Sequence, residues 1–315
     1  MNILIDGSGA IGIGLGCSML DSGYDVSFYA SERTAKAMEN GISRIGLFKQ
    51  LEFAPDMYEV YTKYEDIPDN QFDYIFVASK TIANEDISLK LHENARILKD
   101  DYRIVIFQNG FGNDEYYLKY FPKEKVFCAR VITGFSRPER NVSEVTVYTE
   151  PILLGSLQGE DPGELENIAQ AITDSGIKCE ISYDLDKYLW AKMLYNCALN
   201  PLGAILGVNY GKLTENEYSK SIMNRVIAEI FDVIDAAGYE TLWKSPEEYE
   251  KVFYSKLVPD TYNHYSSTYQ DISKKNKTEI DNLTGKVIAI GDKYGINVDV
   301  NRTLYNMIKS IESDY

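Results

Sequence analysis

Short apolar runs alternate with longer mixed segments along the first half of the chain. The apolar runs predict buried strands at residues 2–6, 25–29, 74–78, 103–107 and 126–132. The stretches after the first three runs predict helices through Leu20 and over residues 31–40 and 83–94. Strands that alternate with helices predict a parallel sheet with helices on both faces.

The pattern changes after this region. Residues 142–148 and 152–154 predict an antiparallel ribbon, followed by a helix over 162–175 and a strand over 177–182. Beyond about residue 184 nearly every segment predicts a helix, at residues 186–206, 215–237, 246–258, 265–272, 278–294 and 301–313. A chain of 315 residues is long enough for two domains. We therefore expect an α/β domain over residues 1–183 and an all-α domain over residues 184–315.

One predicted helix carries a polar stripe on an apolar background. Lys192, Asn196 and Asn200 follow one another at intervals of four, so they line one face of the helix 186–206. Burying an ammonium group and two amides beside residues such as Trp190 is costly unless each polar group finds a partner. The stripe predicts a site for a charged or hydroxylated small molecule.

A glycine-rich turn opens the chain. Gly7, Gly9 and Gly12 follow a predicted strand and start a predicted helix, which is the context that a dinucleotide-binding turn requires. The first glycine permits the tight turn, the second lets the backbone approach a pyrophosphate, and the third allows close helix–strand packing. The predicted cofactor contacts in the turn are Gly7, Ser8, Gly9, Ala10, Ile11 and Gly12.

The end of the second strand decides between the two nicotinamide cofactors. A carboxylate there favours NAD through the ribose hydroxyls, whereas an arginine favours NADP through the 2′-phosphate. The chain offers Ser31, Glu32 and Arg33, of which Ser31 is nearest the ribose and Glu32 is expected to face solvent. Ser31 and Arg33 together can hold a 2′-phosphate, so the sequence favours NADP and leaves NAD as the alternative.

The negative net charge of the chain disfavours nucleic acids and anionic membranes as partners. Acidic residues outnumber basic ones by 48 to 32, giving a net charge of −16 that is spread along the chain. A nucleic-acid surface needs a basic stripe, and an anionic membrane attracts basic segments, so neither partner is expected. Backbone amides at a helix N-terminus can still bind phosphate. We expect a small-molecule partner and a monomer or a homodimer.

Cysteine spacing and the first residues indicate the compartment. Cys17, Cys128, Cys179 and Cys197 are too far apart for a C-x-x-C motif, so we expect free thiols, a reducing compartment and no metal centre. The chain runs from Met1 straight into a predicted strand, so we expect no cleavable signal. No uncharged apolar run reaches the ~20 residues of a membrane span. These features predict a cytoplasmic protein.

Several short motifs follow one another along the whole chain. They are the turn 7–12, Lys80 in Ala-Ser-Lys-Thr, residues 108–112, Trp190 with Lys192, Asn196 and Asn200-Pro201-Leu202, Ser266-Ser267 with Gln270-Asp271, residues 278–281, Gly285, and Gly295-Ile296. Each is unspecific alone, but their order and spacing make the set specific. Taken together, they resemble the ketopantoate reductase family nearly end to end.

The resemblance implies an N-terminal Rossmann-type domain with a doubly wound parallel sheet, an all-α C-terminal domain, and an active site in the cleft between them. It further implies NADPH-dependent reduction of a 2-oxo acid to pantoate, on the route to coenzyme A. Carried over by position, Lys192 is the general acid, and Asn196, Asn200, Ser267 and Glu279 bind substrate. Lys80 and Asn109 then lie close to cofactor and substrate.

This chemistry suits these residue types. Hydride addition to a ketone leaves an alkoxide, which needs a proton and a nearby positive charge, and the Lys192 ammonium supplies both. Glu279 can orient that ammonium or accept a hydrogen bond from a substrate hydroxyl. The two asparagine amides can donate to and accept from the substrate, and Ser267 can donate to its carboxylate.

Three positions depart from the family pattern. Ser31 stands where the family often has an arginine for the 2′-phosphate, and Tyr210 where an asparagine often contributes to the substrate site, with Asn209 one position earlier. Asp299 replaces a common proline before the last helix, where we expect only a local effect. A D-2-hydroxyacid dehydrogenase of the same fold, acting on another branched or aromatic 2-oxo acid with NAD, is therefore the alternative. A non-catalytic nucleotide sensor is disfavoured because it would need neither Lys192 nor Glu279.

Overall fold

The structure is a computed structural model that describes residues 1–315. Its strands are Asn2–Asp6 (β1), Asp25–Tyr29 (β2), Ile42–Gly46 (β3), Leu51–Phe53 (β4), Glu59–Tyr61 (β5), Phe72–Val77 (β6), Leu98–Ile106 (β7), Val126–Arg130 (β8), Gly134–Ser136 (β9), Val142–Val147 (β10), Ile152–Gly155 (β11) and Cys179–Ile181 (β12). Its α-helices are Ala10–Asp21 (α1), Glu32–Met38 (α2), Asn84–Glu93 (α3), Asp114–Tyr117 (α4), Glu166–Asp174 (α5), Leu185–Leu206 (α6), Tyr210–Thr214 (α7), Glu217–Ala237 (α8), Pro246–Val252 (α9), Val258–Asp260 (α10), Ser267–Ser273 (α11), Thr284–Tyr294 (α12) and Asp299–Glu312 (α13).

The main sheet is doubly wound, as predicted. Its eight strands follow the order β12-β11-β8-β7-β6-β1-β2-β5, and the strands from β8 to β5 are parallel. The chain starts in the middle at β1, winds outward through β2, and then crosses to β6 on the other side. Such a reversal of strand order leaves a crevice at the carboxyl ends of the strands, where this class of fold binds ligands.

The predicted antiparallel ribbon over residues 142–148 and 152–154 is wrong. β10 instead belongs to a separate sheet of order β4-β3-β10-β9, whereas β11 joins the main sheet antiparallel to β8. Both segments were identified as strands, but local periodicity carries no information about which distant strand completes the pairing. The partner of β10 on one side is β3, about a hundred residues earlier in the chain.

The chain divides into two compact units. One contains residues 1–108 and 113–185, and the other contains residues 109–112 and 186–315. The first unit holds both sheets. The second is helical, and α8 packs there against α12 and α13. The boundary between residues 183 and 184 stays a prediction, and the sequence carried no sign that residues 109–112 belong with the helices.

Two predicted helices of the second unit are not uniform. The segment predicted over 246–258 is α-helical to Val252, forms a π-helical turn over Phe253–Leu257 and ends in α10. The segment predicted over 278–294 begins with a 3₁₀ turn at Ile280–Asn282, and α12 starts only at Thr284. None of the helices in the structure has both the length and the apolar character that a membrane span requires.

Candidate functional site

The turn after β1 can be built only with glycine at two of its positions. Gly7 has φ +106°, and a Cβ there would lie 2.1 Å from the Ser79 backbone nitrogen. A Cβ on Gly12 would lie 2.0 Å from the Gly7 carbonyl oxygen. A Cβ on Gly9 would meet nothing within 4 Å, so the space above that residue is open. The turn is therefore tightly packed against the protein at Gly7 and Gly12 and open at Gly9, which fits the approach of a pyrophosphate to the backbone.

The helix that follows the turn is suited to bind an anion. α1 is 12 residues long, its first turn has no acidic residue, and no side chain caps its first amides. Unpaired amides at the start of a helix of this length attract phosphate. Ser8 lies in the turn and donates its hydroxyl to the Tyr29 carbonyl at 3.0 Å, which ties the turn to the end of β2.

The other predicted cofactor residues in this unit follow the carboxyl ends of β2 and β6, the two strands that flank β1. Ser31 directly precedes α2, is exposed, and donates to the Thr34 hydroxyl at 3.3 Å. Arg33 is exposed in the first turn of α2, and Lys80 is exposed just beyond β6. Gln108, at the end of β7, is buried and donates to the Ser79 carbonyl at 2.9 Å, which ties the ends of β6 and β7 together.

A second polar cluster lies in the helical unit. The Lys192 ammonium on α6 donates to the Asn109 side-chain oxygen at 2.5 Å. The Asn109 amide nitrogen in turn donates to a Glu279 carboxylate oxygen at 3.5 Å. All three side chains are partly buried. The sequence predicted a role for each of them, and the fold brings them together as a chain of ammonium, amide and carboxylate.

The short segment 109–112 is anchored to the helical unit by close packing. Gly110 has φ +100°, and a Cβ there would lie 2.4 Å from the Asn282 carbonyl oxygen. Phe111 donates its backbone amide to the same carbonyl at 3.4 Å, and its ring packs against Trp190 with a centroid distance of 4.8 Å. These contacts hold Asn109 where Lys192 can reach it.

Asn200 lies at the centre of a buried hydrogen-bond group. It is 3% exposed, and its side-chain oxygen accepts from the Tyr210 hydroxyl at 2.7 Å. Burial raises the pKa of Tyr210 well above its usual value, so this hydroxyl stays protonated and keeps donating. The departure from the family pattern at position 210 thus has a structural role, which is to set the orientation of the Asn200 amide. The neighbouring Asn209 caps α7 by accepting from the Lys212 amide at 3.0 Å.

The remaining predicted substrate residues differ in exposure. Asn196 is partly buried one turn after Lys192, whereas Ser267 is exposed at the start of α11. The hydroxyl that points into the protein is that of Ser266, which is 1% exposed and donates to the Asn200 carbonyl at 3.3 Å. The same hydroxyl accepts from the Tyr269 amide at 3.0 Å and so caps α11.

A buried carboxyl that the sequence did not single out lies next to the nucleotide turn. Asp6 immediately precedes Gly7, is 2% exposed, and accepts a hydrogen bond from the Tyr64 hydroxyl. Burial raises the pKa of Asp6 to about 6, although the Tyr64 hydrogen bond opposes the rise. The only local signal was an aspartate at the end of an otherwise apolar strand, and nothing in the sequence placed Tyr64 against it.

Comparisons with known proteins cover both parts of the chain. The family model described as "Ketopantoate reductase PanE/ApbA" matches residues 3–159, and "Ketopantoate reductase PanE/ApbA C terminal" matches residues 184–312. The chain is 36% identical over 316 residues to the 2-dehydropantoate 2-reductase of Aquifex aeolicus, across 99% of this chain and 97% of that protein. It is 30% identical over 315 residues to the enzyme of that name from Archaeoglobus fulgidus, across 99% and 98% of the two chains.

Solved structures share the fold. A 2-dehydropantoate 2-reductase from Geobacter metallireducens superposes with a TM-score of 0.86 at 21% identity, across 98% of this chain and 99% of that one. A D-mandelate dehydrogenase in complex with NADH and anilino(oxo)acetate also superposes with a TM-score of 0.86 at 21% identity, across 100% and 99%. At this level of identity both structures establish the architecture alone.

Proposed function

The chain belongs to the ketopantoate reductase family, and we propose that it reduces 2-dehydropantoate (ketopantoate) to pantoate with NADPH. The family predicted from the motifs is thereby confirmed. The observation that carries the proposal is the chain of Lys192, Asn109 and Glu279, because it offers a fixed proton donor to the reduction of a ketone. Pantoate formation assigns the protein to pantothenate and coenzyme A biosynthesis.

The proposed cofactor site uses the turn 7–12 and the first amides of α1 for the pyrophosphate, with Ser31, Arg33, Lys80 and Asn109 as further contacts. When bound, the nicotinamide supplies the hydride. The open space above Gly9 and the uncapped start of α1 support this assignment, since both suit an anion that approaches the backbone closely.

Lys192 is the proposed general acid. Its ammonium gives a proton to the oxygen that becomes the alkoxide and stabilises the charge that develops there. Asn109 accepts from this ammonium and so limits where it can point. Glu279 accepts from the other end of the Asn109 amide, which fixes the amide so that its oxygen faces the lysine.

The substrate is proposed to bind to Lys192, Asn196, Asn200, Ser267 and Glu279. Tyr210 supports this arrangement because its hydroxyl donates to the Asn200 side-chain oxygen, so that the amide keeps one orientation. We further propose that residues 1–183 serve the cofactor and residues 184–315 the substrate.

We also propose that the protein is cytoplasmic, has no nucleic-acid or membrane partner, and is a monomer or a homodimer. The four cysteines are all free and buried, which supports a reducing compartment.

A second candidate is a D-2-hydroxyacid dehydrogenase that acts on another branched or aromatic 2-oxo acid, with NAD as the alternative cofactor. Tyr210 favours it, since a phenol replaces an asparagine that is common at this position in the family. A steady-state assay separates the two functions. Ketopantoate, 2-oxoisovalerate and benzoylformate are each supplied with NADPH and with NADH, and kcat/KM is compared. We expect the highest value for ketopantoate with NADPH; good turnover of another acid without turnover of ketopantoate would overturn the proposal.

A further inference from the structure

A half-buried arginine lies beside the end of β2, in the α/β unit. Arg137 stands in the loop between β9 and β10. Its Nη2 donates to the Thr34 hydroxyl at 3.3 Å, and its Nε donates to the Arg140 carbonyl at 3.1 Å. A second hydrogen bond joins Nη2 to the same carbonyl. The guanidinium is thus held in place by groups that carry no charge.

The Thr34 hydroxyl links this arginine to the ribose end of the predicted cofactor site. Thr34 lies in the first turn of α2, and its hydroxyl also accepts from the Ser31 hydroxyl at 3.3 Å. Ser31 and Arg137 therefore share one hydrogen-bonding atom, although they are more than a hundred positions apart. In folds of this class, the residues that end the second strand face the 2′ position of the ribose.

The two strands on either side of this loop, β9 and β10, contact the helix that follows the nucleotide turn. Ser143, on β10, donates its hydroxyl to the carbonyl of Ala10, the first residue of α1, at 2.7 Å. The Phe135 ring, on β9, would lie 2.7 Å from a Cβ on Gly14, so β9 packs directly on α1. The hairpin that carries Arg137 thus contacts the start of α1 and the start of α2 and is fixed to both.

A second guanidinium influences Arg137. Burial and the neighbouring Arg140 both lower the pKa of Arg137. Two like charges that act on each other gain from a bound anion, and a guanidinium forms strong, charge-assisted hydrogen bonds to phosphate. Nε and Nη2 already donate within the protein, so Nη1 is the nitrogen that would donate to a phosphate.

We propose that Arg137 binds the 2′-phosphate of NADPH and is the residue that determines the preference for NADP over NAD. The inference rests on the proposed function for the presence of a nicotinamide cofactor. It assigns to a loop residue the role that the family often gives to an arginine at the position of Ser31. Arg33, the candidate from the sequence, is exposed in the first turn of α2, whereas Arg137 is held by the Thr34 hydroxyl and the Arg140 carbonyl. A held guanidinium loses less side-chain freedom on binding.

The test measures nucleotide binding to the full chain by isothermal titration calorimetry, without any 2-oxo acid. The probes are adenosine 2′,5′-bisphosphate and 5′-AMP, which differ only in the 2′-phosphate. Arg137→Gln should weaken binding of the bisphosphate about ten- to a hundredfold, as expected for loss of a charge-assisted hydrogen bond. Binding of 5′-AMP should change less than twofold. Arg33→Gln should have a smaller effect on the bisphosphate than Arg137→Gln.

A matched control is Arg302→Gln, which removes an arginine that pairs with Asp292 on the helical unit; both affinities should stay at the level of the unsubstituted protein. Arg137→Lys keeps the charge but not the planar fork, so it should lie between Arg137→Gln and the unsubstituted protein. Equal weakening of both probes by Arg137→Gln would mean that the arginine only supports the hairpin, which overturns the proposal. A loss confined to Arg33→Gln, or no preference for the bisphosphate in the unsubstituted protein, would also overturn it.

These outcomes are separate from the choice of substrate. If ketopantoate is not reduced but the bisphosphate preference disappears with Arg137→Gln, the cofactor inference stands and the substrate proposal fails. If ketopantoate is reduced equally well with NADH, the substrate proposal stands and the cofactor inference fails.

Discussion

At the scale of single residues, Lys192 is the clearest test of the mechanism. Lys192→Ala removes the proposed proton donor, and loss of a general acid lowers kcat about 10²- to 10⁴-fold. Affinity for NADPH should be retained, because Lys192 is not itself a proposed cofactor contact. The substitution reaches the cofactor site only through Asn109, which loses its hydrogen bond from Lys192. Stopped-flow turnover and fluorescence titration with NADPH measure the two quantities.

The control for this substitution is Lys187→Ala, on the same helix. Lys187 pairs with Glu240 at 2.8 Å and has no proposed catalytic role. Its kcat should stay close to that of the unsubstituted protein. Full activity of Lys192→Ala would contradict the assigned proton donor, and a similar loss in both variants would point to disturbance of α6 instead.

Asp6 predicts a pH dependence of stability. Burial raises its pKa from 3.8 to about 6, so the folded protein holds a proton that the unfolded chain has already lost. The folded state therefore loses stability as pH rises from about 4 to about 6, and the loss persists above that range. Between pH 4.5 and 7.5 this single group should lower the free energy of unfolding by about 2 kcal/mol.

Urea unfolding at the two pH values measures this contribution. Asp6→Asn cannot ionise, so its free energy of unfolding should fall by about 2 kcal/mol less than that of the unsubstituted protein over the same interval. Tyr64→Phe removes the hydrogen bond that favours the charged form of Asp6, and should make the fall larger. An unchanged pH dependence in Asp6→Asn would show that the carboxyl is ionised throughout this range.

At the scale of elements, the anchoring of residues 109–112 controls the position of Asn109. Gly110→Ala would introduce a Cβ 2.4 Å from the Asn282 carbonyl oxygen, at φ +100°. Because the obstacle is backbone, the segment must shift, and Asn109 must shift with it. We expect a loss of more than tenfold in kcat and a fall in melting temperature, measured by turnover assay and by calorimetry.

Gly238→Ala separates this clash from backbone strain alone. Gly238 has φ +71°, but a Cβ there would meet nothing within 4 Å. Its cost should be limited to about 1 kcal/mol for the left-handed conformation, with kcat unchanged. If the two variants lose the same stability and the same activity, the packing of Gly110 on Asn282 has no special role.

At the scale of the whole molecule, every thiol is buried: Cys17, Cys128 and Cys179 in the α/β unit and Cys197 in the helical unit. All four cysteines are free and buried, and burial raises the pKa of Cys17 and of Cys197 to about 12. Because the thiolate is the reactive species, the native protein should resist labelling by Ellman's reagent at pH 8. After unfolding in guanidinium chloride all four should react. Rapid labelling of the native protein would show that a unit opens readily in solution.

Much of the fold could be predicted because its signals are local. The apolar runs identified β1 and β2 with the bounds that the structure has, and the predicted helix over 186–206 matches α6 to within one residue. The alternation of strands and helices led to the doubly wound sheet. Pairing was not predictable in the same way: β10 was assigned to a ribbon with β11, but it pairs with β3 and β9 in another sheet.

By itself, the sequence determined the kind of chemistry. A glycine turn between strand and helix, and a lysine followed by two asparagines on one helix face, are patterns of local geometry that hold wherever the segments come to lie. The tertiary structure decided which residues act together. Asn109 between Lys192 and Glu279, Tyr210 on Asn200, and Arg137 on Thr34 each join residues of separate segments, whose contact depends on how those segments pack. Side-chain hydrogen bonds act over about 3 Å, so no spacing along the chain could reveal them.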